Sequence, residues 1–363
     1  MPLVPKYIDT LAPYQPGKPV EELLRSSGAS PPPRIIKLAS NESPLGPSQR
    51  AIKAAKTALA QSHRYPDPSV FELRTALAQR FEVQLDNVIA GAGSEGIMST
   101  IMRTFLCDED DIVSARGTFL VFRVLADASG RLTHWVPMQG YRYDLPALAE
   151  AINEYTKIVY LANPDNPTGT YFTVGEFDAF MERVPPRVLV ILDEAYVEFA
   201  RDLSDYPDSM HYRYDNVITL RTFSKAYGLA GLRVGYGFAH DQLIGNLLKV
   251  KLPFEPSRPA QAAALAALED EDHLKASIAN THTGMATLTI AFDKLGLDYI
   301  PSAANFVTLK LPSEQAATDF TTAMLARGVI LRHLASFGWP DLVRVTVGLP
   351  DENEYFVEQL EGD

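Results

Sequence analysis

Thiols are nearly missing from these 363 residues, where Cys107 is the single cysteine. That excludes an intrachain disulfide framework and any metal site built from several thiolates. Positive charge is also short. Thirty-three Lys and Arg face 45 Asp and Glu, a formal net charge of −12. This balance argues against nucleic-acid partners, because backbone-phosphate binding needs a broad cationic surface. An anionic ligand must instead be held by a few local cations. Long apolar runs are absent as well, and the longest compact one, Val188-Leu189-Val190-Ile191-Leu192, suits a strand better than a membrane span. The stretch from Met1 to Gly17 has no basic segment leading into an apolar one. No secretory signal or membrane partner is therefore expected, and the expected location is cytoplasmic.

What is present reads as ordinary globular material: 46% hydrophobic and 21% charged residues. Residues 1–33 are rich in proline (Pro2, Pro5, Pro13, Pro16, Pro19, Pro31, Pro32, Pro33) with Ser26-Ser27-Gly28 between. Such a stretch predicts an extended arm and linker, because proline resists helix interiors. From 34 to 255 apolar strand candidates alternate with helical stretches. The strands are expected near 87–90, 112–115, 134–136, 158–162, 188–192, 217–220 and 234–238, with helices at 145–155 and 174–181 among others. Continuous apolar strands alternating with helices predict a mostly parallel sheet covered on both faces, with ligands bound beyond the carboxyl ends of its strands. From 256 to 363 the pattern predicts a smaller α+β domain. It contains an Ala-rich helix at 260–268, a helix from Ser313 as N-cap to Gly328 as terminator, and strands at 305–311, 329–332 and 342–347.

Four strings stand at the ends of predicted strands. Gly91-Ala92-Gly93-Ser94-Glu95-Gly96 precedes a helix. It fits a plain strand-to-helix turn, a phosphate cradle, or a nicotinamide dinucleotide site, and leaves the three open. Asn163-Pro164-Asp165-Asn166-Pro167-Thr168-Gly169 is rich in turn formers, yet Asn166 between two prolines can present its amide to a ligand. Asp193-Glu194-Ala195-Tyr196 places a carboxylate either as a helix cap or facing the ligand crevice. In Ser224-Lys225-Ala226-Tyr227-Gly228-Leu229-Ala230-Gly231-Leu232-Arg233, a lysine stands with Ser224, Arg233 and two glycines. An amine so placed suits a phosphorylated aldehyde, with the lysine forming an imine and Ser and Arg holding the phosphate.

Together and in this order, the four strings resemble the fold type I pyridoxal-phosphate enzymes, in particular the aminotransferases. Within them the chain is similar to the histidinol-phosphate aminotransferase family, whose habit is followed by Leu11-Ala12-Pro13-Tyr14, by the stretch from Lys37 to Pro47, by Arg64-Tyr65-Pro66, and by Val343-Arg344-Val345-Thr346-Val347-Gly348. The resemblance implies an α/β fold with a mostly parallel seven-stranded sheet flanked by helices, and a smaller α+β domain. It also implies pyridoxal 5'-phosphate as cofactor and settles the glycine string as a phosphate cradle.

The resemblance further implies roles. Lys225 carries the cofactor and moves the substrate proton, while Asp193 pairs with the cofactor's ring nitrogen. Asn166 and Tyr196 hydrogen-bond its phenolic oxygen. Ser94 and the Glu95 backbone, with Ser224 and Arg233, hold its phosphate, and the Glu95 side chain is expected to cap the helix start. Phe119 stacks on the ring, although Arg116-Gly117 stands where prolines are more usual. Arg344 takes the anionic end of the substrate, with Arg332 as a second cation and Asn166 nearby. The family is a homodimer with shared sites, in which Tyr65 reaches the neighbour's phosphate and Tyr14 covers the neighbour's substrate.

The expected reaction moves an amino group between a small-molecule donor and a keto acceptor, glutamate/2-oxoglutarate and imidazole-acetol phosphate/histidinol phosphate, in histidine biosynthesis. Competing readings are an aromatic amino-acid aminotransferase, a lyase or decarboxylase of a phosphorylated amino acid, a cofactor-binding regulator and, remotely, a nicotinamide dehydrogenase. Intact Lys225, Asp193 and Arg344 weigh against the regulator.

Overall fold

The computed structural model describes residues 3–11, 32, 34–211 and 214–362. Its strands in chain order are β1 (Ile36–Lys37), β2 (Val88–Gly91), β3 (Asp111–Ala115), β4 (Thr133–Val136), β5 (Thr156–Ala162), β6 (Leu189–Asp193), β7 (Val217–Thr222), β8 (Gly235–Phe238), β9 (Tyr299–Ile300), β10 (Phe306–Lys310), β11 (Val329–Ile330), β12 (Arg332–His333) and β13 (Leu342–Thr346). Seven of them form one sheet in the order β2-β8-β7-β6-β5-β3-β4. Every pairing in it is parallel except the two made by β8, which runs against both β2 and β7.

The continuous apolar runs follow from burial on both faces. Because alternate side chains leave opposite sides of a strand, Leu189 and Ile191 join Ile158, Tyr160 and Ala162 in one core cluster. Val188, Val190 and Leu192 join Val159 and Leu161 in another. Each fully buried aliphatic side chain here contributes about 1.5–3 kcal/mol. Helices cover both sides, including Gly93–Phe105 and Leu120–Ser129 on the first cluster and Leu145–Ala151 and Val174–Met181 on the second. The helix expected over 145–155 ends at Ala151, with Ile152 already extended at ψ 123.

Strands β9, β10, β12 and β13 form a four-stranded antiparallel sheet, backed by the 25-residue helix Glu271–Leu295 and the helix Glu314–Ala326. Ser313 caps the latter, its hydroxyl accepting from the Ala316 N–H at 3.2 Å. The single strand expected over 329–332 is divided between two sheets. β11 pairs in parallel with β1, while β12 joins β13. The reason is Ile36 and Leu38, which pack into the apolar cluster of Leu288, Phe292, Val307 and Val345 and draw β11 to their own strand. The chain then runs through Ala39–Asn41 between the two sheets. In the N-terminal arm a short helix spans Lys6–Asp9. Among the described residues, no helix is long and apolar enough to cross a membrane.

Candidate active site

The register of the large sheet gathers its loops at one edge. Ala162 of β5 lies beside Asp193 of β6, and Thr222 of β7 beside Gly235 of β8, which also faces Gly91 of β2. The turns after β2, β5, β6 and β7 therefore open together, with β12 and β13 of the smaller sheet across from them. Between them lies a cavity of about 210 Å3. Its walls include Ser94, Glu95, Phe119, Asn166, Asp193, Tyr196, Ser224, Lys225, Arg233, Arg332 and Arg344. Eleven of the thirteen residues singled out in the sequence thus share one space.

At one end Thr222 donates its hydroxyl to Ser224 Oγ at 3.0 Å and accepts the Ser224 N–H at 3.1 Å. Arg233 donates to Ser224 Oγ at 3.2 Å and to the Ala230 carbonyl at 3.1 Å. It sits in the left-handed region at φ 52, a conformation held in place by these bonds. The opposite wall is the first turn of Gly93–Phe105. Its N-cap is Ala92, which offers no side-chain acceptor, so the helix start presents N–H donors toward the cavity. The expected capping by Glu95 is corrected here: its carboxylate reaches Arg233 instead, at 3.4 Å. Close approach explains the glycines. A β-carbon on Gly93 would stand 2.6 Å from the Arg233 guanidinium, and one on Gly235 would stand 2.6 Å from the Ser94 backbone nitrogen.

In the middle, Lys225 is half-buried and donates to the Ser40 carbonyl at 3.3 Å. Burial pulls its amine down to about 8, and the Arg344 cation acts in the same direction. Asp193 is buried at the end of β6. Its Oδ2 accepts from the Tyr160 hydroxyl at 2.9 Å, while Oδ1 has no hydrogen-bond partner among the described residues. Burial pushes this carboxyl up to about 7 against the pull of Tyr160 and of the Ala195 N–H, with Glu95 and Glu194 adding to the rise. Tyr196 accepts from Asn41 Nδ2 at 2.9 Å, and burial raises its phenol to about 12.

At the far end Arg344 donates to Asn166 Oδ1 and, at 2.8 Å, to the Ala39 carbonyl. Arg332 and Arg344 both lie over the Phe337 ring, at 5.7 and 5.9 Å from its centroid. A short β12 is what brings the two arginines side by side, since Arg332 is the register partner of Arg344.

Two predicted residues lie elsewhere. Tyr65 is 74% exposed and stacks on Phe254 with ring centroids 4.1 Å apart, outside the cavity wall. Tyr14 lies outside the described residues. Among the wall or support residues not assigned a role in the sequence are Asn41, Thr222, Phe337 and Tyr160. Asn41 carried a signal, since it lies in the string from Lys37 to Pro47. Its left-handed φ of 55 and its bond to Thr346 Oγ1 at 2.9 Å come from the chain crossing between sheets. Tyr160 gave none, being one more apolar member of a strand.

The donor set fits a phosphorylated aldehyde with a basic ring nitrogen. It offers an amine of lowered basicity, a buried carboxylate oxygen without a partner among the described residues, and at one end an arginine, serines and a helix start. No cluster of metal-ligating side chains occurs among the described residues.

The chain matches the family Aminotransferase class I and II over residues 33–360. A histidinol-phosphate aminotransferase of Nitrosococcus oceani is 44% identical over 98% of this chain and 95% of its own. One of Anaeromyxobacter is 43% identical over 98% and 97%. The crystal structure of histidinol-phosphate aminotransferase from Sinorhizobium meliloti, in complex with pyridoxal-5'-phosphate, superposes with a TM-score of 0.88 at 30% identity, covering 97% of this chain and 95% of that one. A single mutant of the aspartate aminotransferase of Thermus thermophilus shares the fold, with a TM-score of 0.85 at 21% identity over 99% of both chains. With the matched segment spanning the whole cavity, the chain belongs to the aminotransferase class I and II family, among its histidinol-phosphate aminotransferases.

Proposed function

We propose that the chain is a pyridoxal-phosphate-dependent aminotransferase that exchanges amino groups between glutamate/2-oxoglutarate and imidazole-acetol phosphate/histidinol phosphate. The observation that carries this reading is the placement in one cavity of Lys225 and of Asp193 Oδ1, which has no partner among the described residues, between a serine–arginine cradle and a pair of buried arginines. When bound, the cofactor supplies an aldehyde that holds the amino group and a ring that accepts electrons.

The chain's own residues are assigned the remaining work. Lys225, with an amine near 8, can both give and take a proton at Nζ close to neutral pH. Asp193 holds the proton on the ring nitrogen. Asn166 and Tyr196 orient the phenolic oxygen, and Phe119 covers one face of the ring. Ser94, the Glu95 N–H, Ser224 and Arg233 bind the phosphate. Arg344 and Arg332 offer planar forks to the anionic tails that both substrates carry, and their burial strengthens that attraction.

We also propose a cytoplasmic homodimer, with residues 34–255 and 256–363 as its two domains in each chain. The dimer is supported by the exposed, stacked pair Tyr65 and Phe254, with Phe71 and Leu252 also exposed. Tyr65 and Tyr14 are assigned to the neighbour's site.

Single-turnover absorbance, with histidinol phosphate, phenylalanine and glutamate offered separately, tests the substrate. Fast bleaching of the cofactor band by histidinol phosphate and glutamate, and slow bleaching by phenylalanine, is expected. Equal rates with phenylalanine would transfer the assignment to an aromatic aminotransferase. Release of carbon dioxide or thiol without 2-oxoglutarate would make it a lyase.

A further inference from the structure

Asp193 has two oxygens with different surroundings. Oδ1 lacks a partner among the described residues, whereas Oδ2 is held by the Tyr160 hydroxyl at 2.9 Å. Tyr160 comes from β5, the neighbouring parallel strand, and is wholly buried. Its ring is fixed by stacking on Phe122, with centroids 3.8 Å apart and planes within 10°. A phenol locked this way donates along one direction, and Asp193 is the acceptor on that line.

We infer that Tyr160 is a positioning residue for the reaction: it pins Oδ2 so that Oδ1 is presented to the cofactor's ring nitrogen, and it biases the proton shared by the two toward that nitrogen. The inference rests on the reading that Asp193 meets the ring nitrogen. The chemistry is that of a donor on a carboxylate. A hydrogen bond to the ionised form stabilises it and makes it a weaker base, so the shared proton stays on the ring, where it is needed for electron withdrawal. Other groups facing the pair act the opposite way. Glu95 from the helix start and Glu194 next in the chain both raise the Asp193 carboxyl, while Tyr143 and Asp165 surround the phenol. Among the strongest influences on Asp193, Tyr160 and the Ala195 N–H favour its charged form.

The test compares equilibrium binding to the cofactor-free protein of pyridoxal phosphate and its 1-deaza analogue, in which a C–H replaces the ring nitrogen. The wild type is expected to prefer pyridoxal phosphate. Tyr160→Phe keeps the stacked ring and removes the donor, and should shrink that preference about tenfold, the worth of a hydrogen bond to a charged group, with little change for the analogue. Equal weakening of both ligands would mean a merely structural tyrosine and would overturn the inference. Should Tyr160→Phe fail to fold, a fluorinated tyrosine at position 160 keeps the shape and strengthens the donor. The preference should then widen, and an unchanged ratio would overturn the inference. A wild type with no preference would remove the underlying reading of Asp193 instead.

Discussion

Thr118 donates its hydroxyl to Asp165 Oδ1 at 2.6 Å, tying together the residues that immediately precede Phe119 and Asn166. The bond belongs to a directed chain. Tyr143 accepts the Ala162 N–H at 3.0 Å and lies 2.7 Å from Thr118 Oγ1. Because the Thr118 hydrogen is already committed to Asp165, the Tyr143 hydroxyl is the donor between them. Asp165 Oδ2 accepts from the Thr168 hydroxyl at 2.9 Å. Two cavity walls on separate turns are thereby set by one buried carboxylate.

Thr118→Val removes a donor from that carboxylate. Burial raises Asp165 from 3.8 to about 6, so the folded protein holds this proton more tightly than the unfolded chain. Ionisation thus costs stability as pH rises from about 4 to 6, and the cost stands in full above about 6. The variant raises the carboxyl further, and should lose about 1–3 kcal/mol at pH 8 and much less near pH 4, where Asp165 is protonated in the folded wild type and in the folded variant alike. Urea unfolding at the two pH values measures this, and equal losses would contradict it.

Gly117 takes φ 87 and lies against Trp339, whose indole N–H donates to the Gly117 carbonyl at 3.0 Å. A β-carbon there would overlap the indole. Gly117→Ala should therefore cost about 1–2 kcal/mol for the left-handed backbone and more for displacing Trp339, with a shift in tryptophan fluorescence. Gly140→Ala is the control, since it has φ 55 but no atom of the described residues within 4 Å of the added carbon. It should lose only the backbone contribution. If the two variants melt alike, the packing argument is wrong.

Lys225 must be neutral to react with an aldehyde. With its amine near 8, the rate at which the cofactor-free protein takes up pyridoxal phosphate should rise about tenfold per pH unit below 8 and level off above it. Since the Arg344 cation helps lower the amine, Arg344→Gln should move the midpoint upward. A midpoint that stays put, or moves down, would show that Arg344 does not act on the lysine.

Much of this was legible along the chain. Strands such as 188–192 are continuous apolar runs because both of their faces are buried, and the turns after them carry polar strings that no core would tolerate. Lys225, Asp193, Asn166 and Arg233 stand out for that reason. Glu95 misled, because a capping residue and an arginine partner look the same until Arg233, 138 positions away, is brought beside it. Arg332 is the converse case. Its string reads as one strand with Val329 and Ile330, and its place beside Arg344 arises from the split between two sheets.

Local order, then, was determined by the sequence alone: period-two burial, helix caps such as Ser313, and the residue types at strand ends, all of which depend on neighbours a few positions apart. The tertiary structure decided what depends on distance in space. It turned Tyr160 from a core aromatic into the donor on Asp193, sent Asn41 to Tyr196, lowered the Lys225 amine, and left one carboxylate oxygen without a partner among the described residues. Burial and charge act through space, so the chemistry of these groups is set by residues the chain carries tens to hundreds of positions away.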